Sequence, residues 1–152
     1  MRKIPVISSD VKLNDFISTQ CHSFGAEFVP IFLTEREEIT AFLKYELPEI
    51  KIINFSDDSV DLDILREEIR KDPWLYYGGI IAIHDNMDEK LLQEAMSGQN
   101  VIAVLRKREV ERGFLRLLKI LRQNKQILFQ RGIQQHLIKN IAGSFVIDND
   151  PL

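Results

Sequence analysis

The sequence predicts an α/β fold in which a five-stranded parallel sheet is covered by helices on both faces. Short apolar runs alternate along the chain with amphipathic segments of about 10–14 residues, the pattern of repeated strand–helix–strand units. Helix caps, glycines and prolines separate the two kinds of segment. The run at Ile50–Asp58, Ile-Lys-Ile-Ile-Asn-Phe-Ser-Asp-Asp, ends abruptly in polar residues, as expected of a central strand whose end faces a site.

The first half of the chain contains two strand–helix units and then the central strand. The apolar run Ile4–Ser8 predicts strand 1, and Asp10 is placed to cap the helix that follows it. Gly25 ends that helix, and Phe28–Leu33 predicts strand 2. A second helix precedes strand 3, which is predicted at Ile50–Phe55.

The second half repeats the alternation. A third helix is predicted from near Asp61 to the break at Asp72-Pro73, and strand 4 at Ile80–Ile83. We expect the aromatic segment Trp74–Tyr77 to pack the end of that helix against strand 4. A fourth helix leads to strand 5 at Val101–Leu105.

The repeated strand–helix–strand units predict the order of the strands in the sheet. Crossovers between parallel strands are nearly always right-handed, and five such strands form a doubly wound sheet of flavodoxin type with order 2-1-3-4-5. Strand 3 then lies beside strand 1, where the chain reverses its winding direction. The polar residues predicted to surround one crevice there are Ser8, Ser9, Asp10, Asn54, His84 and Arg106 or Lys107.

Composition excludes several classes of protein. Hydrophobic residues make up 45% of the 152 residues and charged residues 28%, which is typical of a globular domain with a real core. No apolar run approaches the roughly 18–20 residues that span a bilayer, and the N-terminus has no apolar segment of signal-peptide length. The single Cys21 permits no internal disulfide and no cysteine metal cluster. A reducing, cytoplasmic setting is therefore favoured, without cofactor, metal or membrane.

Charge is distributed unevenly. Leu105–Ile141 contains ten basic and two acidic residues, a net charge of +8, so the remainder of the chain carries −11. A solvated helix face is the favoured interpretation, with an acidic partner or nucleic acid as the alternatives.

The last helix is predicted to extend far beyond the sheet. Helix-compatible sequence runs from about Glu109 to Ala142, some 34 residues or roughly 50 Å. A partly apolar heptad seam along it predicts a dimeric coiled coil, whereas a turn at Gly132 would fold the helix back. The seam includes Arg131 and Gln134, which weaken it, and its other residues are Leu117, Ile120, Asn124, Ile127, Ile138 and Ile141. We accordingly divide the chain into a domain (1–123), a helical extension (124–143), and a tail or the start of an output domain (144–152).

In layout, 1–123 resembles the receiver domain of bacterial response regulators, a degenerate CheY-like form. Pro48-Glu-Ile-Lys-Ile-Ile-Asn54 is similar to the Pro-Asp-apolar-run-Asp segment of that family, and Leu65-Arg-Glu-Glu-Ile-Arg-Lys-Asp-Pro73 is similar to its third helix. The resemblance implies a phosphoacceptor Asp after strand 3, an acidic pair that holds Mg²⁺, a Thr or Ser after strand 4 and a Lys after strand 5. The cation and the Lys would offset phosphoryl charge, and the hydroxyl would bind the phosphoryl oxygen.

Most of that set is missing from this sequence. Asn54 stands at the acceptor position, and a carboxamide is a poor nucleophile. Ser8 and Ser9 replace the acidic pair, while only Asp10 remains as an acid. His84 replaces the hydroxyl residue. Asn54 also suits a loop-capping role, and a lone His84 is more often a satisfied polar residue than a catalytic one.

Three hypotheses follow. The first is a pseudo-receiver, not an enzyme, that dimerises or docks on a protein and relays a signal through its last helix to an output domain. By resemblance, an ATPase of the histidine-kinase type is one candidate output. The second is an active receiver phosphorylated on Asp57 or Asp58. The third, less favoured, is a nucleic-acid-binding regulator that uses the basic last helix.

Overall fold

Five strands form where the sequence has its apolar runs. The computed structural model describes residues 3–31, 36–57 and 62–123. The strand bounds are β1 (Lys3–Ile7), β2 (Glu27–Ile31), β3 (Ile50–Asn54), β4 (Gly79–His84) and β5 (Val101–Arg106). All five predicted strands are confirmed with small differences at their ends, because buried parallel strands are recognisable as nearly continuous apolar runs.

Helices connect successive strands. Their bounds are α1 (Val11–Phe24), α2 (Arg36–Glu46), α3 (Leu62–Lys71), α4 (Pro73–Tyr76), α5 (Glu89–Met96) and α6 (Val110–Gln123). A 3₁₀ turn, Lys107–Glu109, precedes α6. Asp10 caps α1 as predicted, and Gly25 ends it in the left-handed conformation. None of the helices in the described ranges has both the length and the apolar character needed to cross a bilayer.

The sheet has the predicted order. Its strands lie in the sequence β2-β1-β3-β4-β5, and every neighbouring pair is parallel. β3 pairs with β1 through Ile52 and Ile53, and with β4 along its whole length. The carboxyl ends of β1 and β3 therefore meet at the point where the winding direction reverses.

Apolar side chains cover both faces of the sheet. On one face α1 and α6 pack together, with Ile17 and Phe114 fully buried among them. On the other face the core includes Leu43 from α2, Ile69 from α3 and Leu92 from α5. The domain is thus a three-layer doubly wound α/β structure.

The aromatic segment meets our expectation in part, since Leu75 and Tyr76 pack in the core cluster that contains α3 and β4 residues, whereas Trp74 does not. Asp72 and Pro73 start the separate one-turn helix α4, in which the Asp72 carboxylate accepts a hydrogen bond from Trp74 N at 3.0 Å. Leu75 is the residue of that turn that enters the core, at 1% exposure, whereas Trp74 remains 63% exposed. Successive residues of a helix point about 100° apart, and in this turn Leu75 faces the core while Trp74 faces solvent.

The proposed dimer seam cannot begin at Leu117. That side chain is fully buried within the core of its own chain, between α6 and the sheet, and is unavailable to a partner helix. Ile120 is half-buried against the same core. The remaining seam positions, Asn124, Ile127, Ile138 and Ile141, and the segments 124–143 and 144–152 lie outside the described residues.

Candidate functional site: a polar crevice at the strand ends

Asn54 and Ser8 form the buried centre of the crevice. They end β3 and follow β1, and they are 4% and 2% exposed. Asn54 Nδ2 donates to Ser8 Oγ at 3.2 Å, and Asn54 Oδ1 accepts from Ser56 N at 3.1 Å. The predicted loop-capping role of Asn54 is thereby confirmed. With both ends of its carboxamide bonded, Asn54 is held in one orientation.

Ser8 joins the centre of the crevice to α1. Its Oγ also accepts a hydrogen bond from Asp10 N at 3.1 Å, and its carbonyl oxygen accepts one from Asn14 Nδ2 at 2.8 Å. Asn14 is 7% exposed. Sequence reasoning missed Asn14, although a polar residue beside the buried Leu13 in the first turn of α1 was a usable signal.

Asp10 is fully engaged. Its Oδ1 caps α1 by accepting from Leu13 N at 3.1 Å, and its Oδ2 forms an ion pair with Lys107 Nζ. Burial raises the pKa of Asp10, but the hydrogen bonds from Lys107 and Leu13 outweigh it and leave the pKa below its usual value. The same pair raises the pKa of Lys107. Lys107 is therefore the cation of the crevice, whereas Arg106 is exposed.

Asp57 closes the crevice over β1. Its Oδ1 accepts from Ser9 Oγ at 2.8 Å, and its Oδ2 accepts from Ser9 N. Asp57 is 9% exposed, although it lies in the loop after β3. The carboxylate thus ties the β3–α3 loop to the β1–α1 loop.

His84 is a buried neutral residue. Its Nδ1 accepts from Met87 N at 3.2 Å, so the neutral imidazole carries its proton on Nε2. Burial, with the Arg106 charge beside it, lowers the pKa of His84 below its usual value. Ser56, which sequence reasoning also missed, accepts from Asp85 N through its Oγ at 2.7 Å. His84 and Ser56 thus both bond the backbone of the loop that follows β4.

Solved structures show which fold this is. A CheY-like protein (tadZ) from Pseudomonas aeruginosa is 17% identical, with a TM-score of 0.61 over 80% of this chain and 99% of that one. A two-component response regulator from Legionella pneumophila is 13% identical, with a TM-score of 0.65 over 81% and 99%. The RcsB response regulator of Salmonella typhimurium is 14% identical, with a TM-score of 0.63 over 93% and 69%.

The chain has the receiver fold. No family model and no curated protein matches it in sequence. Within the receiver fold, Asn54 lies at the end of β3, where the family resemblance places the phosphoacceptor Asp. At this edge of the sheet Asn54 contacts Ser8, Asp57 contacts Ser9, and Asp10 pairs with Lys107. His84 ends the neighbouring strand β4, and Arg106 is exposed.

The donor set of this crevice does not fit the Mg²⁺ ion of active receivers. Mg²⁺ prefers carboxylate oxygens in octahedral geometry. Asp10 instead holds an ammonium group and a helix N-terminus, and both Asp57 oxygens bond Ser9. Within the described ranges, no three His, Cys, Asp or Glu side chains form a group that could hold a metal ion. The loops are held together by the protein's own side chains.

Proposed function

We propose that this protein is a receiver-like signalling module that does not take up phosphate. The observation that carries the proposal is the state of Asn54, a carboxamide at the acceptor position that is bonded at both ends. A carboxamide cannot form an acyl phosphate as a carboxylate does. The module is proposed to have no enzymatic activity and no cofactor, and to act in the cytoplasm.

The crevice and the last helix are directly connected, which supports a relay role. Lys107, which pairs with Asp10, lies three residues before α6 begins. At the other end of α6, Arg122 donates to Phe24 O at 2.7 Å and its guanidinium lies 3.6 Å from the Phe24 ring centroid. A change at the β1–α1 loop would therefore move α6 together with α1. We propose that α6 carries this movement to a protein partner or an output domain, one candidate being an ATPase of the histidine-kinase type.

Phosphoryl chemistry provides the decisive experiment. We expect the purified protein to show no saturable binding of beryllofluoride with Mg²⁺, measured by ¹⁹F NMR, and no incorporation from acetyl phosphate, measured by intact mass. We expect the Asn54→Asp variant also to bind no beryllofluoride. In it Asp10 remains paired with Lys107 and Asp57 remains bonded to Ser9, so neither carboxylate is available to Mg²⁺. An active receiver serves as the positive control.

The competing function is an active receiver that uses Asp57. Its support is the position of Asp57 inside the crevice, beside Ser9. Mg²⁺-dependent beryllofluoride binding that disappears in Asp57→Ala and persists in Ser23→Ala, a change at an exposed site of α1, would establish that function and reject ours.

We also propose that the module dimerises through its last helix, with the seam placed beyond the buried Leu117. Sedimentation velocity of the full chain is expected to give a dimer. Ile127→Asp combined with Ile138→Asp should convert it into a monomer, because charges at seam positions are strongly disfavoured. A wild-type monomer, or a dimer that tolerates both changes, would reject the coiled coil.

A further inference from the structure

A charged side chain is buried at the edge of the sheet opposite the crevice. Lys51, near the amino end of β3, is 1% exposed. Its neighbours Ile50 and Ile52 face the core formed with α1 and α6, and side chains alternate along a strand, so Lys51 faces the other layer of helices. There its ammonium group donates to Tyr77 O at 2.6 Å, the single acceptor that it reaches among the described residues. A group with three donors is thus removed from water for one hydrogen bond.

The acceptor belongs to a short connecting segment, residues 72–78, here called the strap. It contains the one-turn helix α4 and joins α3 to β4. Leu75 enters the core, and Tyr76 packs partly against it. On the outside, Asp72 pairs with Lys44 of α2 at 2.6 Å, and the Lys44 side chain is 51% exposed. Surface ion pairs contribute little to stability, so a small apolar contact is the main interaction that holds the strap closed.

Both ends of the strap are joints between fixed elements. Helix α3 ends at Lys71, and the backbone of Asp72 is extended, with φ −120° and ψ 112°. At the other end Gly78 has φ +80°, and Gly79 N donates to Glu49 O at 2.8 Å. Residues at the ends of elements absorb the backbone rotations of a hinge. The strap can therefore rotate away from the sheet while β3 and β4 remain paired.

Charges on the surrounding elements do not compensate the charge of Lys51. Burial is the cause that lowers the pKa of Lys51 from 10.5 to about 8. The charged groups of that region form ion pairs with one another, Lys44 with Asp72, Lys3 with Glu46 and Glu67 with Arg70. The other titratable groups on the last turns of α2 and α3, the strap and the approach to β3 are Tyr45, Glu49, Glu68, Lys71, Tyr76 and Tyr77. The closed strap therefore disfavours the ammonium form of Lys51, whereas water favours it.

We propose that the strap is a pH-dependent gate controlled by the charge on Lys51. In its closed form the strap holds the ammonium group at the Tyr77 carbonyl. In its open form Tyr77 moves outward, the ammonium group is hydrated, and Leu75 becomes exposed beside Trp74, which is already 63% exposed. Protonation of Lys51 favours the open form, and loss of that proton favours the closed form. The gate lies at the edge of the sheet away from the crevice, so it goes beyond the function proposed above and does not depend on it.

Native-state hydrogen exchange of the full chain measures the opening of the strap. Leu75 N and Tyr76 N donate to Asp72 O at 3.0 and 3.1 Å, and a single helical turn is not stable once it loses its packing. The open form binds more protons between about pH 8 and pH 10.5, so the closed form gains stability as the pH rises through that window. The opening constant, corrected for intrinsic exchange, is expected to fall roughly 25-fold from pH 7 to pH 9.5.

Urea separates opening of the strap from global unfolding. Opening of the strap exposes little surface, so exchange at Leu75 and Tyr76 should depend only weakly on urea at low concentrations. Phe55 N donates to Ile83 O at 2.7 Å near the crevice, and it should exchange through global unfolding with the full urea dependence.

Two variants assign the effect to Lys51. Lys51→Met should slow exchange of the strap amides at pH 7 by at least about tenfold and remove the difference between pH 7 and pH 9.5, because no charge is left to hydrate. Lys44→Met, which removes the surface ion pair with Asp72, should raise the opening constant by less than about fivefold at both pH values and keep the difference between them.

Three outcomes would overturn the proposal. The first is exchange of the strap amides only through global unfolding, with the urea dependence of Phe55. The second is an opening constant of the wild-type strap that does not change between pH 7 and pH 9.5. The third is a pH dependence that persists in Lys51→Met. None of these outcomes bears on beryllofluoride binding at the crevice, so failure of either proposal is recognised independently.

Discussion

Replacing Lys51 by Met is expected to stabilise the fold by about 1–2 kcal/mol at pH 7. Lys51 lies in β3, the central strand, and is 1% exposed. Its ammonium group donates to Tyr77 O at 2.6 Å. Burial lowers the pKa of Lys51 from 10.5 to about 8. Keeping this lysine charged inside the core therefore costs stability.

The size of the gain follows from two opposing contributions. The lowered pKa corresponds to a cost of about 3 kcal/mol for the charged form, at 1.36 kcal/mol per pH unit. Met has nearly the same shape and no charge, so it removes that cost. It also removes the hydrogen bond that Lys51 donates to the Tyr77 carbonyl, which costs about 1–3 kcal/mol. The difference between the two contributions favours Met.

The pH dependence provides a separate check. A folded-state pKa below the unfolded one means that the unfolded chain binds more protons between about pH 8 and pH 10.5, so the stability contribution of Lys51 rises with pH across that window. The advantage of Met should shrink over the same window, because the lysine becomes neutral in both states. Urea unfolding of both proteins at pH 7, 9 and 10.5 measures this.

Lys71→Met is the matched control, since Lys71 is exposed on α3 and its replacement should change stability by no more than about 0.5 kcal/mol. A Lys51→Met protein less stable than wild type at pH 7 would show that the hydrogen bond to Tyr77 outweighs the burial cost. An advantage undiminished at pH 10.5 would show that charge is not its cause.

Lys51 also illustrates what a sequence can predict about this fold. The strand Ile50–Asn54 was recognisable because Ile50, Ile52 and Ile53 are apolar, and the aliphatic stem of a lysine fits a buried strand almost as well. The strand order followed from the alternation of elements and the handedness of crossovers. The ammonium group bonds the Tyr77 carbonyl, whose position depends on where α4 ends and could not be predicted from a local pattern.

The candidate site was likewise predictable from the sequence only in part. Ser8, Asn54 and His84 could be placed because the carboxyl ends of parallel strands meet at one edge of the sheet. The hydrogen bonds and the ion pair between the crevice side chains could not be predicted, since they depend on loop conformations. Asp57 was considered as a phosphoacceptor, yet its carboxylate holds Ser9, and Lys107 rather than Arg106 reaches Asp10. These pairings explain why the donors among the described crevice residues do not suit Mg²⁺.

Buried polar groups lie at both ends of β3. At its carboxyl end Asn54 and Ser8 form a network of neutral groups, with charges paired around it. At its amino end Lys51 is held by the backbone ahead of Gly78. The amino end is also where Gly78 lies close to the backbone that leads into β3.

Replacing Gly78 by Ala is expected to cost at least about 3 kcal/mol, enough to unfold a marginal domain. Gly78 has φ +80°, a left-handed conformation that costs an L-residue about 1–2 kcal/mol. A Cβ there would also lie well inside van der Waals contact with the Pro48 carbonyl oxygen and 3.0 Å from the Glu49 carbonyl oxygen. Both obstacles are backbone atoms, so relief requires β3 and β4 to separate at the point where Gly79 N donates to Glu49 O at 2.8 Å.

Gly25→Ala separates the two contributions. Gly25 has nearly the same φ, +82°, but a Cβ there meets nothing within 4 Å. Its replacement should cost only the conformational part, about 1–2 kcal/mol, in the same urea titration. Equal losses for the two variants would mean that β3 and β4 can separate freely at Gly78. A much larger loss at Gly78 would show that the fold depends on the close approach of the two strands. The positions of Lys51 and of the crevice, at the two ends of β3, would then depend on it as well.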